Sequence, residues 1–275
     1  MSPPPDWPGV EHRYHDLATG VRAHVAHAGP EDGPPVVALH GFPQHWYAWR
    51  RVIDALPEYR ILAMDTRGLG WSGPAPDGDY RKARIADDAV ALLDVLEIDR
   101  ALLLGHDWGG WAGFIAIDLA PDRWTGYVAT GTPHPWQSRR AMLRTAPRTL
   151  YQPPIAAPVL GPQLIARLVP TVLRVGWGER STYDDAAEEI YAATYREPSR
   201  AEAASRYYRD FLTREMLRGT PRRPTVPTKL LYGTREPLGR AGAEGFENVE
   251  FLEGCGHFVP EERPEAVAAA VRAMP

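Results

Sequence analysis

Short apolar runs bounded by turn residues recur along the chain. Pro35–His40 is such a run and ends in Gly41, and Arg60–Asp65, Arg100–Gly105 and Trp124–Thr130 repeat the pattern. Lys229–Tyr232 and Val249–Leu252 follow later. Runs of this kind suit strands buried on both faces of a parallel sheet. Tyr14–Leu17 and Val21–His27 flank Ala18–Thr19–Gly20 and predict a strand pair joined by a turn. Helical stretches alternate with the runs. Ile85–Leu96 sets Ile85, Ala89, Leu92, Leu93 and Leu96 on one face, Trp111–Leu119 is helix-like, and alanine-rich Glu262–Met274 predicts a closing helix. Strand–helix alternation predicts an α/β fold with a mostly parallel sheet and right-handed crossovers.

The rhythm breaks from about Trp136 to Arg223. Prolines and tyrosines accumulate there, Ala186–Tyr195 and Ala201–Met216 have helical patterns, and no buried-type strand occurs. The expected organisation is a core of residues 1–135 and 224–275 with a helical cap, 136–223, over the strand ends. Proline-rich Met1–Pro8 reads as a loose leader.

Composition narrows the function. The chain has 275 residues, enough for one large core with an inserted subdomain. A net charge of -4 implies no basic face, so nucleic acid and anionic membrane are poor partners. One cysteine, Cys255, leaves no internal disulfide, and no residue cluster has metal-ligand spacing, so neither metal nor cofactor is expected. No apolar run approaches the roughly 20 residues needed to span a membrane. MSPPPDWPGV lacks the apolar segment of a signal peptide, so the expected compartment is the cytoplasm.

The chemistry gathers at Leu104–Gly110 (LGHDWGG). An apolar strand ends there and a helix-like run begins, the context of a nucleophile elbow with aspartate in place of serine. Gly105 and Gly109 allow close packing, and the Trp108 N–H is left facing the site. An aspartate here also suits a helix N-cap. As a nucleophile, Asp107 points to an sp³ carbon. A carboxylate attacking such a carbon makes an ester, which water cleaves, whereas serine would make a stable ether. The second step needs a base, and His257 in Gly254–Phe258 is the last histidine, as the order nucleophile, acid, histidine requires. Glu236 is the only carboxylate in the turn after Lys229–Tyr232, and Thr130–Thr132 offers none, so Glu236 is the expected orienting acid. The other eight histidines read as surface or packing residues. Phe42, in His40–Pro43, and Trp108 are the expected backbone donors of an oxyanion hole.

HGFPQHWYAWR (40–50), MDTRGLGWS (64–72), GHDWGG and GCGHF together resemble the epoxide hydrolase branch of the α/β-hydrolase fold, from about residue 10 onward. The resemblance implies that fold, with a helical cap, and conversion of an epoxide to a vicinal diol through an Asp107 ester. It implies two cap tyrosines that hydrogen-bond the opening oxygen. Tyr151–Gln152 is similar to the first tyrosine motif, and in Tyr207–Tyr208–Arg209 the matching position is Tyr208. Phenols donate at neutral pH without ionising. Two departures stand out: Glu236 occupies a position where the family usually has aspartate, and Leu238–Asn248 leaves little room for a helix.

The same core motifs occur in haloalkane dehalogenases. The Trp108 indole suits halide binding, although Phe42 supplies no side-chain donor. Fluoroacetate dehalogenation would need arginines beside the nucleophile, and Trp108–Trp111 has none. A non-catalytic ligand-binding protein on this fold is the reading from another class. Trp46, Trp49, Trp108 and Trp111 suggest an aromatic-lined pocket. The expected partners are a hydrophobic epoxide and water, with a homo-oligomer left open.

Overall fold

The computed structural model describes residues 2–136, 138, 140, 146–215, 223–236 and 239–275. Eight strands form one sheet: β1 (Val10–Asp16), β2 (Arg22–Ala28), β3 (Pro35–Leu39), β4 (Arg60–Met64), β5 (Ala101–His106), β6 (Trp124–Thr130), β7 (Thr228–Gly233) and β8 (Val249–Leu252). Their order is β1-β2-β4-β3-β5-β6-β7-β8. β1 and β2 are antiparallel, β2 joins β4 antiparallel, and every later pairing is parallel. This is the α/β-hydrolase architecture the motifs imply. The central strands are buried along most of their length because helices cover them, and every residue of β5 is buried.

The flanking helices are α1 (Arg50–Ala55), α2 (Lys82–Val95) and α3 (Asp107–Leu119), with α8 (Gly239–Gly242), α9 (Val259–Glu262) and α10 (Pro264–Arg272) near the C-terminus. Between β6 and β7 lie α4 (Gln152–Ala156), α5 (Leu160–Gly176), α6 (Asp185–Tyr195) and α7 (Pro198–Asp210), then a π-helical turn, Phe211–Glu215. α2 packs on α3, and α1 on α10. None of the described helices is long and apolar enough to cross a membrane.

Several boundaries differ from expectation for identifiable reasons. β1 starts at Val10, because Val10 pairs with Ala28, and its Glu11 and Arg13 bridge at 2.6 Å near the surface. Such charges suit an edge strand. Residues 2–8 are docked, not loose: Trp7 Nε1 donates to Asp54 at 3.0 Å, and the Ser2 carbonyl accepts from Trp71 Nε1 at 2.8 Å. The expected closing helix is split before Pro264, which disfavours helical backbone at Arg263. The expected helix 201–216 ends at Asp210 and passes into the π turn, and Met216 lies outside the described residues. The 238–248 stretch holds only the single turn of α8; Pro237 and Leu238 lie outside the described residues. Six of the nine histidines are buried, so packing and not surface accounts for most of them. Trp46 and Trp49 are fully buried core residues.

The strand order reverses between β3 and β5, since β4 lies on one side of β3 and β5 on the other. Such a switch point leaves a crevice at the carboxyl ends of the strands. Two buried polar anchors fix the loops there. Asp65, at the end of β4, accepts from His24 Nδ1 at 2.8 Å, Trp46 N at 2.7 Å and Trp71 N at 2.9 Å. Those donors, with the facing histidines, outweigh the opposing effect of burial and hold its carboxyl well below the usual range. Arg67 makes a two-pronged contact with Asp88 on α2, both bonds 2.7 Å. Together they tie the loops after β3 and β4 to the sheet. Replacing Asp65 with alanine leaves three buried donors without an acceptor. The expected loss, measured by urea unfolding, is about 3 kcal/mol or more.

Candidate active site

Asp107 stands where β5 turns into α3, with φ 51°, in the left-handed region. Few non-glycine residues adopt this conformation, and it stores strain of order 1–3 kcal/mol. It aims the side chain at the loop after β3. The N-cap position of α3 belongs to His106, so Asp107 does not cap its own helix. Its neighbours must be small. A Cβ on Gly109 would lie 2.2 Å from the Leu39 carbonyl oxygen, and one on Gly41 2.2 Å from Asp107 Oδ1.

The two carboxylate oxygens have different surroundings. Oδ1 accepts the Phe42 N–H at 2.8 Å, and the Trp108 N–H also stabilises the charge. Oδ2 faces His257 Nε2 at 3.7 Å. Burial raises the Asp107 pKa, while His257 and the two backbone donors pull against it. The anion is therefore held by fixed dipoles in place of water.

His257 follows β8 on a loop that carboxylate and carbonyl groups clamp. Glu262 accepts from Gly256 N at 3.0 Å and from Gly178 N at 2.9 Å, and the His257 N–H donates to the Gly176 carbonyl at 2.7 Å. His257 Nδ1 meets Glu236 Oε2 at 2.6 Å, so Nε2 is left toward Asp107. Glu236, one methylene longer than aspartate, reaches His257 from the turn after β7, where its N–H is bonded to the Gly233 carbonyl at 3.1 Å. Burial would lower the His257 pKa, but Glu236 first and Asp107 second overcome it and raise it to about 9. Beneath the ring, His106 packs at 4.9 Å and is held neutral, mainly by burial.

Tyr208, on α7, is buried, and its ring lies 5.2 Å from Trp108 and 5.6 Å from Phe42. Tyr151 meets Tyr208 edge to face at 6.1 Å. Half of the Tyr151 surface is open, yet its hydroxyl end is enclosed: burial first and Asp107 second push its pKa up to about 12. Burial, Tyr151 and Asp107 likewise hold Tyr208 well above the usual phenol range. Both phenols stay protonated donors at neutral pH. Trp108 Nε1 is buried beside the Tyr208 hydroxyl without a hydrogen bond of standard geometry. All seven residues singled out in the sequence, Phe42, Asp107, Trp108, Tyr151, Tyr208, Glu236 and His257, thus meet in one place. A separate surface cleft lined by Pro3, Trp71, Ile190 and Arg196 contains none of them. Among the described residues no group of three or more His, Cys, Asp or Glu side chains is arranged to hold a metal ion.

Lys82 is a site neighbour that motif reading passes over. It lies three residues before Ile85, on the buried face of α2, so the helical period carries a signal for it. Tyr195 is another: its ring packs on Phe42 at 5.4 Å, and its hydroxyl is buried without a partner.

The fold and this carboxylate–histidine–carboxylate arrangement define a hydrolase-type α/β enzyme with an acid at the nucleophile elbow. The chain belongs to the alpha/beta hydrolase fold family, whose model matches residues 34–264. It is 30% identical over 267 residues to the AB hydrolase superfamily protein YfhM of Bacillus subtilis, covering 90% of this chain and 92% of that one. It is 31% identical over 276 residues to a soluble epoxide hydrolase of Corynebacterium sp., covering 91% and 92%. The solved structure of the epoxide hydrolase CorEH without ligand superposes with a TM-score of 0.80 at 27% identity, covering 96% of this chain and 98% of that one.

The electrostatics give a direct test. Glu236→Gln removes the strongest partner raising His257. Imidazole proton resonances should show the His257 pKa falling from about 9 by about one unit or more. An unchanged titration would mean that another group sets it.

Proposed function

We propose that the protein is an epoxide hydrolase acting through a covalent ester on Asp107. The observation that carries this reading is a carboxylate at the strand–helix elbow with two protonated phenols near enough to feel its charge. Asp107 Oδ2 attacks an epoxide carbon, and the carbon–oxygen bond of the ring breaks. The leaving oxygen is an alkoxide, a poor leaving group in water unless it receives a proton or hydrogen bond. Tyr151 and Tyr208 supply that stabilisation, and residues 136–223 act as the cap that delivers them.

Hydrolysis follows on the core side. In the ester Asp107 no longer carries charge, so one of the two anions that raise His257 is lost. Its pKa falls toward neutrality, and Nε2 becomes a base that takes a proton from water. Glu236 fixes the tautomer and stabilises the imidazolium. Water attacks the ester carbon while Oδ1 takes up negative charge between the Phe42 and Trp108 N–H groups. The bond to Oδ2 then breaks, the His257 imidazolium returns its proton to that oxygen, and the diol leaves with an oxygen from Asp107.

The relatives named epoxide hydrolases support this reading, and YfhM, named only by superfamily, is neutral. Haloalkane dehalogenation is the second reading, favoured by the buried Trp108 Nε1. A halide leaves without a proton, so that reaction gives the paired tyrosines no task. Diol formation from a chromogenic epoxide, against bromide release from a bromoalkane, separates the two, and activity on neither favours a binding protein.

In a single turnover in oxygen-18 water with enzyme in excess, the diol should emerge unlabelled and the label should enter the peptide containing Asp107. His257→Gln should stall hydrolysis and leave protein heavier by one epoxide. A labelled diol with no adduct would mean direct attack by water.

The tyrosines are tested separately through the rate of ester formation. Tyr151→Phe or Tyr208→Phe alone should slow it by about 10- to 100-fold, the scale of losing one transition-state donor. The double variant should nearly abolish it. Full alkylation by the double variant would assign the leaving oxygen to another donor.

A further inference from the structure

A buried cation lies directly behind the site, and the proposed chemistry makes no use of it. Lys82 is the first residue of α2 and is fully buried. A cation at a helix N-terminus opposes the helix dipole, and burying one is costly unless it is paired. Its partners come from two other parts of the fold. Nζ donates to the Tyr207 carbonyl at 2.5 Å, pairs with Glu215 Oε2 at 3.3 Å and lies 4.0 Å from the centre of the Trp108 ring. The other Glu215 oxygen accepts the Lys82 backbone N–H at 2.7 Å. Glu215 thus caps α2 and balances its lysine at once. Beside it, the Tyr80 N–H donates to Asp210 at 2.8 Å, and Arg214 stands 3.6 Å from Asp79.

The position of these contacts along the chain gives them meaning. Tyr207 precedes Tyr208, and Trp108 follows Asp107. One ammonium group therefore touches the neighbour of the nucleophile and the neighbour of the proton donor. The π turn at Phe211–Glu215 is what brings Glu215 under α2, and Phe211 packs on Trp108 at 4.9 Å. Single π turns are frequent at functional sites.

We propose that Lys82 is a positioning residue that holds the Tyr208 hydroxyl over Asp107, by pinning the Tyr207 carbonyl and the Trp108 ring through a buried cation balanced by Glu215. This rests on the reading that Tyr208 stabilises the opening epoxide oxygen. The lysine acts on one chemical step only. Alkylation depends on where Tyr208 stands, whereas ester hydrolysis uses Phe42 and Trp108 N–H groups that the core backbone fixes.

The groups facing Lys82 are Glu215 from the π turn, Asp210 and Tyr207 from α7, and Asp107 from α3. Burial lowers its pKa to about 8 against the pull of Glu215, Asp210 and Asp107. The grip therefore weakens as pH rises through that value, and alkylation falls with it.

The test follows ester formation and ester hydrolysis separately, with styrene oxide as the probe, in wild type, Lys82→Met and Lys82→Arg. At neutral pH the methionine variant should alkylate about tenfold more slowly and hydrolyse its ester within about twofold of wild type. Its alkylation should lose the alkaline limb near pH 8. Arginine, which does not deprotonate, should keep the rate and move the limb upward. Glu215→Gln, which leaves the lysine in place, should show the same selective slowing if Lys82→Met fails to fold. Wild-type alkylation in the methionine variant, or proportional slowing of both steps, would overturn the proposal. If the wild type forms no ester with styrene oxide, the functional reading is what fails. Hydrogen exchange of residues 207–215 without substrate then decides the latch: faster exchange in Lys82→Met supports it, and unchanged exchange overturns it.

Discussion

The left-handed backbone at Asp107 is the constraint on which the rest of the site depends. A carboxylate at φ 51° turns β5 into α3 within one residue and leaves the Trp108 N–H facing the same crevice. The turn closes only if the opposing backbone comes near, so Gly109 meets the Leu39 carbonyl and Gly41 faces the carboxyl group. That approach also brings the Phe42 N–H onto Oδ1. One strained residue thus places the Asp107 carboxylate, the Phe42 and Trp108 N–H groups around it and the absence of side chains beside them. Strain persists at such places only where surrounding structure fixes it. Here Asp65 and His40 do so, since Asp65 anchors the Trp46 N–H and His40 Nε2 accepts the Thr66 N–H at 3.0 Å.

The charges are arranged around a cycle in which one of them disappears. With Asp107 ionised, His257 lies between two carboxylates and holds its proton up to about pH 9. An imidazolium is a poor base, but it stabilises the anion that must attack. In the proposed mechanism, ester formation cancels the Asp107 charge and withdraws part of that support, so that the same histidine becomes basic when a base is required. Glu236 persists through both states, which is why its 2.6 Å contact with Nδ1 governs orientation and not reactivity alone.

Much of this was legible in the chain. Apolar runs marked the strands, and the small residues around Asp107 marked the elbow, because those features are local and obey a period. Glu236 and His257 were legible because the fold fixes which strand ends supply them. Boundaries set by tertiary partners were not. β1 reaches back to Val10 through its pairing with Ala28, and residues 2–8 dock through the Trp7 and Trp71 indoles. The helix expected through 201–216 reads as continuous from its residues, yet it passes into a π turn where Glu215 meets the start of α2. Lys82 shows the same limit in a single residue. Its period places it on a buried face, but only the approach of α7 explains why a cation belongs there.

The site divides into two kinds of donor, and the division has a chemical logic. The core contributes backbone N–H groups, which most side-chain substitutions leave in place. In the proposed reaction they serve the step common to any ester of Asp107. The helices between β6 and β7 contribute side-chain hydroxyls, Tyr151 and Tyr208, whose positions depend on packing. They serve the step that depends on the leaving atom. An enzyme built this way changes its electrophile by changing the inserted helices while its hydrolytic half stays as it is. The contacts joining the halves then decide how well the steps are matched. His257 N to the Gly176 carbonyl makes one such contact behind the base. Lys82 to the Tyr207 carbonyl makes another, beside the cap tyrosine Tyr208.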